Sequence, residues 1–101
     1  MLTGKQRAYL RSLANSMETI LIVGKSGIGP DLIKQADDAL TARELIKGRV
    51  LETSPVSARE AADQIAGVIH AESVQVIGSK FVLYRKNEKE PKIILPKQRK
   101  K

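Results

Sequence analysis

Residues 20–40, ILIVGKSGIGPDLIKQADDAL, gather the side chains best placed to do chemistry: Gly24, Lys25, Ser26 and Gly27, between an apolar run and an amphipathic one. Paired glycines permit unusual dihedrals and remove side-chain bulk, so a large ligand can approach the backbone closely. A junction of this kind brings backbone N–H groups to a helix start, where anions are favoured. The anion is not expected to be a nucleotide. A phosphate-binding P-loop needs glycine at position 19, which is Thr19, and no later strand ends in an aspartate suited to Mg²⁺. The dinucleotide fingerprint needs Gly or Ala at position 32, which is Leu32. What remains is a G-x-x-G loop, of the sort with which KH domains clamp about four nucleotides. On its own the motif is weak, because many tight turns contain two glycines, and without further support a plain strand-to-helix turn is the better reading.

The other candidates carry less. Gly78, Phe81, Val82 and Tyr84 in IGSKFVLY fit four places of the RRM octamer, but Ser79 stands where a base-stacking aromatic is required. Only Tyr9, Phe81 and Tyr84 are aromatic, too few for a broad stacking platform, and core packing is the expected role for most of them. His70 is the single histidine and cysteine is absent, so no metal site is expected. Asp37 and Asp38 are adjacent and cannot face one another on a helix; they read as solvated surface, with Lys34 able to pair with Asp38. No nucleophile lies beside a base. The reading is a non-enzyme with no cofactor and no small-molecule substrate.

At 101 residues and 42% apolar composition the chain is expected to form one folded domain. The lack of cysteine excludes a disulfide framework, and no apolar stretch is long enough to span a bilayer. The N-terminus shows no export-signal core, so the expectation is a cytoplasmic protein without a membrane partner. Net charge is +7 and unevenly placed: residues 85–101 hold eight Lys/Arg against Glu88 and Glu90, leaving +1 for residues 1–84. A basic tail beside a polarised domain points to a polyanionic partner, or more modestly to a solubilising tail.

The elements that must position these residues follow from pattern. Leu2 to about Asn15 reads as a helix that Thr3 can cap, with Tyr9, Leu10 and Leu13 on one side. Thr19–Val23 is a short continuous apolar run, expected as a strand covered on both faces. A second helix begins near Pro30, and Leu32, Ile33, Ala36, Ala39 and Leu40 form its apolar stripe. Glu44–Glu52 reads as a strand with Gly48 a bulge or close-approach point. Ser57 and Glu60 form a capping box opening a third helix, and Gly78–Ser79 suits a two-residue hairpin turn. The order αβαβαββ implies a single two-layer α/β domain with a mixed four-stranded sheet, spanning residues 1–86. Residues 87–101 are expected as a basic, flexible tail, with the Ile93–Leu95 segment able to dock on the sheet edge.

Four separated stretches, LTGKQRAYLRSLAN, VGKSG, ELIKGRVLE and VIGSKFVLYR, resemble the CRM domain (chloroplast RNA splicing and ribosome maturation) in its bacterial stand-alone, YhbY-type form. The resemblance runs from Leu2 to about Lys86. It implies an αβαβαββ domain whose sheet is like that of the C-terminal domain of translation initiation factor three. It also implies RNA binding and association with large-subunit precursors; plant multidomain relatives assist intron splicing. The family's loop contact maps onto Gly24, Lys25, Ser26 and Gly27, and its basic first helix onto Lys5, Arg7 and Arg11. The closing LYR maps onto Leu83, Tyr84 and Arg85, with Arg85 and Lys86 as rim cations. Two departures stand out: Arg43 where the family usually has histidine, and Gly48 in place of a β-branched residue, which questions the regularity of that strand. The expectation is an RNA-binding accessory protein of ribosome assembly with ribosomal RNA as partner. A stoichiometric ribosomal protein and a protein-interaction module with a solubilising tail are the alternatives.

Overall fold

The computed structural model describes residues 2–91 and residue 93. Ile94 and Leu95, together with most of the basic tail, lie outside the described residues. The element order is α1 (Gly4–Ala14), β1 (Leu21–Val23), α2 (Pro30–Arg43), β2 (Leu45–Val50), α3 (Ala58–Ile69), β3 (Glu72–Ile77) and β4 (Lys80–Tyr84). Capping chemistry sets two of the helix starts. Thr3 and Gln6 form a reciprocal capping box before α1, and Ser57 and Glu60 form another before α3. A cap of this kind stabilises a helix by about 1 kcal/mol.

The sheet runs β1-β2-β4-β3, with β1 parallel to β2 and the other two pairings antiparallel. The mixed four-stranded α/β sheet and the hairpin through Gly78–Ser79 match expectation. The layer count does not. Strand alternation sends Phe81 and Leu83 to a core with α2 and α3, and Val82 and Tyr84 to a second core with α1. Leu10 and Ala14 of α1 pack on the latter with Leu45 and Val74. Helices therefore cover both faces, making three layers in place of two. The apolar stripe of α1 shows that it must be buried but not on which face.

β1 also departs from its expected cover. Leu21 and Val23 are buried, whereas Ile22 is 42% exposed at the sheet edge. β2 is regular through Gly48, which pairs with both Leu21 and Phe81. The close approach is real: a Cβ at position 48 would enter the Phe81 ring. Among the strand pairings the register shifts at Ser73/Gln75 in β3, where Val74 turns into the α1 core.

Candidate functional site

Gly24, Lys25, Ser26 and Gly27 form one tight turn at the carboxyl end of β1, closed by the Gly27 N–H donating to the Gly24 carbonyl at 3.0 Å. Lys25 and Ser26 occupy its exposed tip. Gly27 has φ of 71°, in the left-handed region that disfavours L side chains. A Cβ there would also stand 3.0 Å from Pro55 Cγ. Gly24 is less constrained, since its Cβ would meet Leu51 Cδ1 at an ordinary 3.7 Å.

The loop before α3 forms the wall behind this turn. The Leu51 N–H donates to the Val23 carbonyl at 2.9 Å, and Ser54 Oγ both donates to the Val56 carbonyl and accepts from the Val56 N–H. This buttress was not read from the sequence; the Ser-Pro pair at 54–55 was its one visible signal. On the open side Gly29 is the N-cap of α2, no side chain caps it, and Pro30 follows. Orphan N–H groups at such a helix start favour an anion, although Asp31 in the first turn opposes one. A hollow of about 430 Å³ lies here, lined by the turn, Ile22, Gly29 and the start of α2.

The remaining sequence-derived cations divide by what they hold. Arg7 donates to the Ser73 carbonyl at 2.7 Å and pairs with Glu72 at 3.6 Å. Arg85 donates from Nη1 to Asp37 Oδ1 (2.6 Å) and the Ile69 carbonyl (2.9 Å), and from Nη2 to the Asp37 carbonyl and Thr41 Oγ1. Asp37 is therefore a partner of Arg85 and not merely solvated surface. Lys34 does pair with Asp38, at 3.3 Å. Among the described residues no ion pair reaches Lys5, Arg11, Lys25 or Lys86. The structure joins the four loop residues in one site; Lys5, Arg7 and Arg11 lie on α1, and Arg85 and Lys86 follow β4. A separate hollow of about 340 Å³ beside His70 and Tyr84 mixes Glu72 and Glu88 with Arg85 and Lys86, so it has no single sign.

Two features escaped sequence reading. Glu44 is fully buried with φ of 68° at the end of α2, and its carboxylate accepts from the Asn87 N–H (2.6 Å) and the Ile93 N–H (2.7 Å). The described part of the tail thus lies against the domain. Burial, then the charges of Glu44 and Glu88, raise the pKa of Tyr84 above its ordinary value. Among the described residues no cluster of three metal-ligating side chains occurs, and no helix is long and apolar enough to cross a membrane.

The chain is thus a three-layer α/β domain with a glycine-flanked cationic turn at one end of its mixed sheet. Residues 2–85 match the CRS1/YhbY (CRM) domain, and the chain belongs to that family. It is 41% identical to the "Probable RNA-binding protein YqeI" of Bacillus subtilis, over 95% of this chain and all of that one. It is 32% identical to the "RNA-binding protein" of Haemophilus influenzae, over 96% and 97% of the two chains. The solution structure of SAV1595 from Staphylococcus aureus superposes with a TM-score of 0.78 at 47% identity, covering 95% of this chain and all of that one.

Proposed function

We propose that the protein binds RNA through the Gly24–Gly27 turn and serves as an accessory factor of ribosome assembly on large-subunit precursors. The observation that carries this reading is the turn itself: an exposed lysine and serine between two glycines, braced by Pro55 beside an uncapped helix start. Names given to relatives support RNA as the partner. The phosphate backbone lies against the turn, Lys25 supplies a point charge and the Ser26 hydroxyl a hydrogen bond. Lys5, Arg11 and Lys86 add screened attraction, whereas Arg7 and Arg85 are held by the fold.

Lys25→Ala should keep the melting temperature and reduce the slope of log K against log salt by about 0.7–0.9, one phosphate contact. Gly27→Val is a poorer probe, because it strains the backbone and meets Pro55 as well as blocking the approach. An unchanged RNA titration for folded Lys25→Ala overturns the loop assignment. For the assembly role, sedimentation at low salt should find the protein with large-subunit precursors and depleted from translating ribosomes. Equal occupancy of both particles would make it a ribosomal protein instead.

A further inference from the structure

The face of the sheet that α1 covers is only half covered. Leu45, Val74, Val82 and Tyr84 lie beneath the helix, but α1 ends at Ala14, whose carbonyl accepts from Lys47 Nζ at 3.2 Å. Beyond that point the same face continues uncovered. The strand register aligns Ile22 with Arg49, Arg49 with Lys80, and Lys80 with Ile77, one row across all four strands. With neighbouring strands ~4.8 Å apart, the row is about 14 Å long. All four side chains are exposed, Ile77 to 63%.

The row carries two cations and no acid, and the next row inward holds Lys47, Val82 and Gln75, again without an acid. Among the described residues neither Arg49 nor Lys80 has an ion pair. Between the rows is a hollow of about 130 Å³, lined by Asn15, Lys47, Gln75, Ile77, Lys80 and Val82. Ile22 belongs both to the row and to the hollow at the G-x-x-G turn, so the two surfaces are continuous.

We propose that this uncovered half of the sheet is a second RNA-contacting surface, which takes the strand as it leaves the Gly24–Gly27 turn. Arg49 and Lys80 hold phosphates, while Ile22 and Ile77 pack on ribose or base faces at the two ends of the row. Charge complementarity and continuity with the turn select RNA as occupant. Two isolated isoleucines offer too little apolar area for the core of a stable protein interface, which buries about 1,200 Å² or more. The inference rests on the RNA-binding reading above, and its test separates the two.

Fragmented, end-labelled ribosomal RNA is titrated across a salt series with the full chain, with Arg49→Gln/Lys80→Gln, and with Arg43→Gln/Arg59→Gln. The last pair removes the same charge from exposed positions on α2 and α3, across the sheet. All three proteins should melt alike, since the four side chains are exposed. The sheet pair should lower the log K against log salt slope by about 1.4–1.8, two phosphate contacts, and the control pair by much less. Photocrosslinking should also label the peptide containing Ile77 and Lys80. Equal slopes for the two pairs, with no crosslink on that peptide, overturn the sheet surface; a lowered slope for Lys25→Ala then leaves the loop reading standing. Absence of saturable RNA binding by the full chain overturns both.

Discussion

Lys25 and Arg85 are two cations that one fold uses in opposite ways. Lys25 projects from a turn with no ion pair among the described residues, whereas the guanidinium of Arg85 ties the end of β4 to α2 and to the last carbonyl of α3. Arg85→Ala should therefore lower stability by about 1–3 kcal/mol, because a partly buried hydrogen-bond network is broken. Arg85→Lys should recover only part of it, since a lysine cannot reproduce the forked geometry. Urea unfolding gives the first number; RNA titration of the folded variants should show a smaller change than Lys25→Ala. Tyr84 offers a separate test by pH. Its phenol is held neutral by burial and by the charges of Glu44 and Glu88, so the folded pKa lies above the unfolded value of about 10. The folded state then binds more protons than the unfolded state above that pH, and stability falls as pH rises toward the folded pKa. Relative to Tyr84→Phe, the wild type should hold a constant stability difference below about pH 10 and lose ground above it. A flat difference up to about pH 11 would contradict the raised pKa.

At the scale of elements, the local signals proved the most legible. Ser57 and Glu60, Pro30, and the Gly78–Ser79 pair act through neighbours within three or four residues, and each marks its helix start or turn as read. Gly27 likewise has the positive φ that its place in the turn would require. Features set by long-range packing were not legible. The chain does not state that α1 crosses to the opposite face, that β1 ends as an edge strand, or that Glu44 lies buried at a helix end. Those outcomes depend on pairings decided elsewhere, such as β2 joining β1 on one side and β4 on the other. Gly48 stands between these cases. Its substitution for a β-branched residue raised doubt about the strand, yet β2 is continuous because Phe81 fills the volume a side chain would occupy. Gly48→Val should accordingly destabilise by about 1–3 kcal/mol through overpacking, despite the better strand propensity of valine. Phe81→Leu in the same chain should restore part of that loss, and a double-mutant cycle of thermal or urea unfolding measures the coupling. Simple additivity would mean that the ring and residue 48 do not compete for space.

For the whole molecule, the question is how a nearly neutral domain and a strongly basic C-terminal segment work as one. Residues 85–101 hold a net +6, yet the described part of that segment does not leave the domain at Lys86. The Asn87 side chain donates to the Thr41 carbonyl, and the Asn87 and Ile93 N–H groups both donate to the buried Glu44 carboxylate. Ile93 also packs against the α1 core. This path gives the basic segment two separable effects. Truncation after Lys86 removes two donors from a buried carboxylate, which should lower stability by about 2–3 kcal/mol, the scale of charge-assisted hydrogen bonds in a poorly hydrated site. Glu44→Ala should cost a similar amount. Because the two changes break the same contacts, the combined variant should lose markedly less than their sum. The electrostatic effect is independent of this. Removing the cations beyond residue 86 should weaken RNA binding most at low salt, with the deficit shrinking as the Debye length falls below about 10 Å. Glu44→Ala, which keeps every one of those cations, should lose stability while retaining most of the salt-dependent affinity. Urea unfolding and RNA titration on the same four proteins, wild type included, decide the matter. If truncation leaves the unfolding midpoint unchanged, Glu44 does not anchor the segment and the domain ends at Lys86.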